Sequence, residues 1–134
     1  MTCETTTLYT LENLPALECG EVAVITQKVK QGAATKEQWM PGRILMLDIA
    51  SGSFTDWDGS VKDQQLTVLR ACVNFDGVTA TQQAAMIVTG SIFDTALDFA
   101  GKAGDLTLEQ KSTLQLWGLT VIPSRNLDTL SSDY

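Results

Sequence analysis

Short apolar runs, each cut off by a turn signal, limit the fold of this chain more than any other feature. Met40-Pro41-Gly42, Ser51-Gly52, Asp58-Gly59 and Asp76-Gly77 punctuate the sequence. Glycine supplies positive φ, proline fixes φ, and Asp or Ser side chains bond to nearby backbone, so such groups favour reversals over continued helix. The runs between them suit strands better than the long amphipathic helices of a bundle.

EVAVITQKV at 21–29 predicts a first strand, followed by a polar loop, KQGAATKEQWMPG, at 30–42. RILMLDI at 43–49 and SFTDW at 53–57 predict a hairpin around Ser51-Gly52, with Trp57 packed inward. QLTVLRACVNF at 65–75 reads as one strand, with Leu69, Ala71, Val73 and Phe75 on one face and Val68, Arg70 and Cys72 on the other. AAMIVTGSIF at 84–93 is the next, with Ala84, Met86, Val88 and Ile92 in one register and Gly90 marking a bulge or a close approach. Thr107 with Gln110 is a capping-box pattern that starts a helix over 108–118, ending at Gly118. A short helical turn fits 94–101, and LTVIPS at 119–124 forms a last strand stopped by Pro123. The fold class that follows is mainly β with one helix (α+β), a small barrel-like or sandwich domain of short strands. Residues 1–17 read as a flexible, threonine-rich N-terminal arm, 18–124 as a single β-rich domain, and 125–134 as a polar C-terminal tail.

The chain of 134 residues is long enough to bury a core on the order of two-thirds of its unfolded surface. Its net charge of −7 opposes contact with phosphate backbones and anionic membranes, so neither nucleic acid nor membrane is expected as a partner. No apolar run approaches the ~20 residues of a membrane span, and the opening MTCETTTLYT has neither the basic region nor the apolar core of a secretory leader. Three widely spaced cysteines, Cys3, Cys19 and Cys72, fit a reduced cytosolic history, with Cys72 a small core residue and no structural disulfide expected. Histidine is absent, which removes Ser-His-Asp and Cys-His catalysis and leaves no ordinary zinc ligand set. No cofactor or metal is expected.

Asp48, Asp56 and Asp58 cluster in LMLDIASGSFTDWDGSV. As an EF-hand loop counted from Asp56 the run fails, because Gly59 falls two places early and Thr67 stands where a glutamate is needed. Turn chemistry accounts for every residue of the stretch, so the hairpin reading takes precedence over a two-carboxylate site. Trp39, between Gln38 and Met40 in the polar loop, is expected to be exposed at an interface, whereas Trp57 and Trp117 stand at packing positions.

The run Leu45-Met46-Leu47-Asp48, leading through a polar turn to Trp57-Asp58-Gly59, is similar to the strand-turn-strand of the head decoration proteins of phage lambda and its relatives. VLRACVNFDG, GSIFDTALDF, a helix and GLTVIPS follow in the order of that family's parts, and MTCETTTLYT resembles its threonine-rich arm. The resemblance implies a β-clip-like fold, a homotrimer at local three-fold sites of an expanded capsid, and an arm that adds a strand to the major capsid protein. It implies a location on the outer surface of the virion, reached through the host cytoplasm, and a structural rather than enzymatic role. Thr5, Thr6, Thr7, Leu8 and Tyr9 are then the candidate capsid contacts, joined by Trp39, Met40 and Pro41 as apolar loop residues expected to be exposed. Two other readings compete. A glycan-binding or tail-fibre accessory module would need an exposed aromatic platform, and a small hydrolase would need Asp48 and Asp58 to act together.

Overall fold

The computed structural model describes residues 17–32, 35–60, 63–99, 102–103 and 106–123. In chain order the elements are β1 (Glu18–Lys30), β2 (Lys36–Trp39), β3 (Ile44–Asp48), β4 (Ser53–Asp56), β5 (Leu66–Leu69), β6 (Val73–Asp76) and β7 (Thr81–Phe93). A 3₁₀ turn at Asp94–Ala96 leads to β8 (Asp98–Phe99) and β9 (Lys102–Ala103), then to α1 (Leu108–Leu116) and β10 (Leu119–Ile122). The domain is mainly β with one helix, as the sequence pattern predicts.

β1 and β7 form the spine. They pair antiparallel from Glu18↔Ile92 to Lys30↔Thr81. Both run further than 21–29 and 84–93, because a backbone ladder continues through polar positions such as Glu18 and the Lys30↔Thr81 pair. The remaining pairings close a ring. β1 meets β4 at Val29↔Phe54, β4 pairs with β3, β3 with β5, and β5 with β7. β7 pairs with β1 in turn, so five strands form a small barrel. Closure satisfies most edges that an open sheet would leave free. β10 extends β7 in parallel, from Leu119↔Gly90 to Ile122↔Phe93.

Alternation along the strands divides the core in two. Leu45, Leu69, Met86, Val29 and Phe54 belong to one buried cluster, to which all five ring strands contribute. Ile44, Val68 and Ile87, each adjacent in sequence to a member of the first cluster, belong to a second with Trp57, Leu114 and Leu119. Successive strand residues point to opposite faces, so one cluster fills the ring and the other lies outside it beneath α1. This explains why all four residues of β5 are buried.

The register of β1 slips between Cys19↔Ser91 and Ala23↔Thr89, where β1 spends more residues than β7. The close approach expected at Gly90 is found there: its φ is +138°, and a Cβ would lie 2.5 Å from Val22 Cγ1. A second slip, between Ala23↔Thr89 and Val24↔Ile87, puts the extra residue in β7, so the irregularity involves both strands.

Three sequence expectations are corrected. The single strand 65–75 is two strands, since the chain turns at residues 70–72 to leave the barrel and pair β6 with β2 in a separate ribbon. The polar loop 30–42 contains β2, whose partner lies more than thirty residues downstream and is invisible to local pattern. The helix stops at Leu116 rather than 118, with Thr107 and Gln110 forming the expected capping box.

Candidate functional site

The Asp-rich hairpin is the first place to seek chemistry. β3 and β4 pair antiparallel from Leu45↔Asp56 to Asp48↔Ser53, as the turn signals predict. The Asp48 carboxylate accepts hydrogen bonds from Ala50 N and, at 2.8 Å, from Ser51 Oγ. Asp58 accepts from Ser60 N at 2.9 Å and from Ser60 Oγ at 2.6 Å. Asp56 takes a two-pronged bond from Arg43 Nε and Nη2, each 2.5 Å. Each carboxylate therefore has its own local duty. A shallow hollow of about 300 Å³ lies over the hairpin, bordered by Met46, Leu47, Asp48, Ile49, Thr55 and Gln64. Neither Asp56 nor Asp58 borders it, so the structure does not bring Asp48 and Asp58 together there. Among the described residues no group of three or more Cys, Asp or Glu side chains is placed to hold a metal ion.

Arg43 is the centre of the best-built polar cluster. Its guanidinium lies 4.4 Å from the Trp39 ring centroid while it holds Asp56. Burial alone would lower its pKa. The Asp56 hydrogen bond and charge, with Asp98 and Glu37 nearby, more than offset this and hold it above the ordinary arginine value. Trp39 Nε1 donates to Glu37 Oε1, which also accepts from the buried Gln31 side chain. Trp39 meets Phe75 edge-on with ring centroids 4.8 Å apart. Neither Arg43–Asp56 nor Trp39–Phe75 was legible in the sequence, because each pair joins distant positions.

The candidate contact residues fare differently. Thr5, Thr6, Thr7, Leu8 and Tyr9 lie outside the described residues. Trp39 is not an exposed loop residue: it ends β2 and is 2% exposed. The pairing of β2 with β6 carries it into the core beside Phe75, where its large apolar area stabilises the fold. Met40 and Pro41 are half-buried rather than exposed. Trp57 is fully buried and its Nε1 donates to Ser60 O at 2.8 Å. Trp117 is half-buried, so none of the three tryptophans offers a fully exposed ring.

The start of the described chain is anchored. Phe93 N donates to Leu17 O at 3.0 Å, so the β1–β7 ladder reaches one residue past the strand. Glu18 binds Arg70 at 2.7 Å, which ties the start of β1 to the corner between β5 and β6. Cys72, in that corner, is buried as expected, with its sulfur 3.7 Å from Met40 Sδ. It is also disulfide-bonded, which corrects the expectation of reduced thiols. A compartment argument weighs where disulfides persist, and cannot tell which sulfurs the fold brings together. Cys19 is free and exposed.

No protein-family model matches the chain, and no curated protein matches it. No helix among the described residues is long and apolar enough to cross a membrane.

Proposed function

We propose that this protein is a structural decoration protein of a phage head, binding the expanded capsid as a homotrimer at local three-fold sites. The observation that carries the reading is the resemblance of Leu45-Met46-Leu47-Asp48 and Trp57-Asp58-Gly59 to the head decoration proteins, together with a threonine-rich segment directly upstream of β1. The closed barrel supports it, since a stable body with satisfied strand edges can present an adhesive strand without aggregating through its own sheet.

In this reading residues 5–9 add a strand to the major capsid protein. Backbone hydrogen bonds carry the contact, and threonine suits it as a β-branched residue that stays soluble while unpaired. Ordering such a segment costs about 1–2 kcal/mol per residue, so a single arm binds weakly. Three arms on one trimer act at high effective concentration and clamp neighbouring subunits together. The clamp opposes rupture by packaged DNA without any chemical step, cofactor or contact with nucleic acid. Burial of Trp39 and Trp57 leaves the glycan-platform alternative without its main support.

The test is co-sedimentation with expanded, undecorated capsids, comparing the full chain with a deletion of residues 1–17. Saturation near three copies per local three-fold site, lost on deletion while the domain still folds, is the expected result. Equal binding by both chains would overturn the arm mechanism, and binding by neither would overturn decoration.

A further inference from the structure

We infer that the outer edge of β1 pairs antiparallel with the same edge of a second copy of this chain, across a two-fold axis. β7 lines one edge of β1 from Glu18 to Lys30. The other edge meets the ring at a single pair, Val29↔Phe54. From Glu18 to Lys28 that edge has no ladder partner among the described residues, and no residue of the stretch is buried. At about 3.3 Å per residue this leaves on the order of 30 Å of strand with outward N–H and C=O groups open to a partner.

Native edges are usually blunted by proline, by shortness or by charge. β10, the last strand in the order of the sheet, is only Leu119–Ile122 and runs into Pro123. β1 has none of these devices over 22–27, where the sequence is VAVITQ. An edge of this kind is a template for another strand.

Charge names the occupant. The start of β1 carries Glu18 and Glu21 and its end carries Lys28 and Lys30, with no charge between. Parallel pairing of two copies would set like charges side by side, whereas antiparallel pairing sets the acidic end of each against the basic end of the other. Glu18 is already held by Arg70, and Lys30 by Asp48. Glu21 and Lys28 are exposed and have no ion pair among the described residues, so both are available to a second chain. Such a match is isologous: each copy gives and takes the same contacts, and the pair closes without leaving a β1 edge to propagate. Overlap of residues 22–27 supplies about six backbone hydrogen bonds. Each has a small net effect in water, so pairing depends on concentration. The inference goes beyond the decoration reading and does not rest on it; in a homotrimer the same contact would join one trimer to the next.

The test is sedimentation velocity of the full chain up to millimolar concentration, with amide hydrogen exchange on the same samples. Mass should double as concentration rises, and exchange within 22–27 should slow in the associated form. Glu21→Lys and Lys28→Glu should each weaken the doubling about tenfold, because the two-fold repeats every contact. Glu21→Lys separates this from a general charge effect, since it makes the chain less acidic and would by net charge alone strengthen association. Combining the two substitutions reverses both ends together and should restore the association of the parent. No doubling, doubling without slower exchange at 22–27, or unchanged doubling in both single variants overturns the inference. Slow exchange already present in dilute chain would show the edge covered and overturn it too. Slowing that appears only when undecorated capsids are added would assign the edge to a capsid strand instead. Failure to bind capsids, with doubling intact, would overturn decoration alone.

Discussion

Gly42 and Gly52 both hold positive φ, yet their surroundings differ. A Cβ on Gly42 would lie 1.8 Å from Ala96 O, while a Cβ on Gly52 would meet nothing within 4 Å. Gly52→Ala should therefore cost only the left-handed penalty of roughly 1–2 kcal/mol. Gly42→Ala must also move backbone, so its loss in urea unfolding should be larger, about 3 kcal/mol or more. Equal losses would show that the approach to Ala96 is not a constraint. Asp76 gives a pH prediction. Bonds from the Thr79 and Val78 backbone N–H groups hold its carboxyl below the ordinary value of 3.8. A depressed folded pKa contributes stability above the unfolded pKa and loses it as pH falls through the folded value. The stability gap between the parent and Asp76→Asn should be open near neutrality and close as pH drops below 3.8, read by thermal melting. Arg43→Met should cost roughly 1–3 kcal/mol, less than for a fully buried pair because Asp56 keeps partial access to solvent. Adding Asp56→Leu should recover part of that loss.

At the scale of elements, α1 depends on few contacts. Of its nine residues only Thr113 and Leu114 are buried, and Leu108 and Leu116 are 81% and 84% exposed. Burial at one leucine and a cap at the N-terminus therefore hold the helix. Leu114→Ala should cost about 2–5 kcal/mol, and Thr107→Ala about 1 kcal/mol, both measurable by chemical unfolding. A similar loss for Leu116→Ala would contradict the assignment of its packing face. The capping box was legible because its residues are three apart in sequence. The division of 65–75 into β5 and β6 was not. Either half alternates well enough for a strand, and only the competing partners β7 and β2 decide where the chain must turn.

At the scale of the molecule, the proposed binding by three arms would have a quantitative signature. A free peptide of residues 1–17 should displace the bound protein from capsids only at ~10²–10⁴-fold higher concentration than unlabelled full chain, measured by competitive sedimentation. Displacement at equal concentration would show that the arms do not act together. Ring closure and the Glu18–Arg70 pair anchor the start of β1.

The sequence by itself determined the local features: the Ser51-Gly52 hairpin, the inward Trp57, the helix start at Thr107, the close approach at Gly90 and the mainly β class. Each rests on residues within a few positions of one another, where turn geometry, capping and alternation act. Tertiary structure decided the rest: the ring closed by β1 on β7, the burial of Trp39, the Arg43–Asp56 pair and the bonded Cys72. Those features join positions far apart in the chain. Their free energy depends on which surfaces meet when the strands pair, and no local pattern encodes that choice.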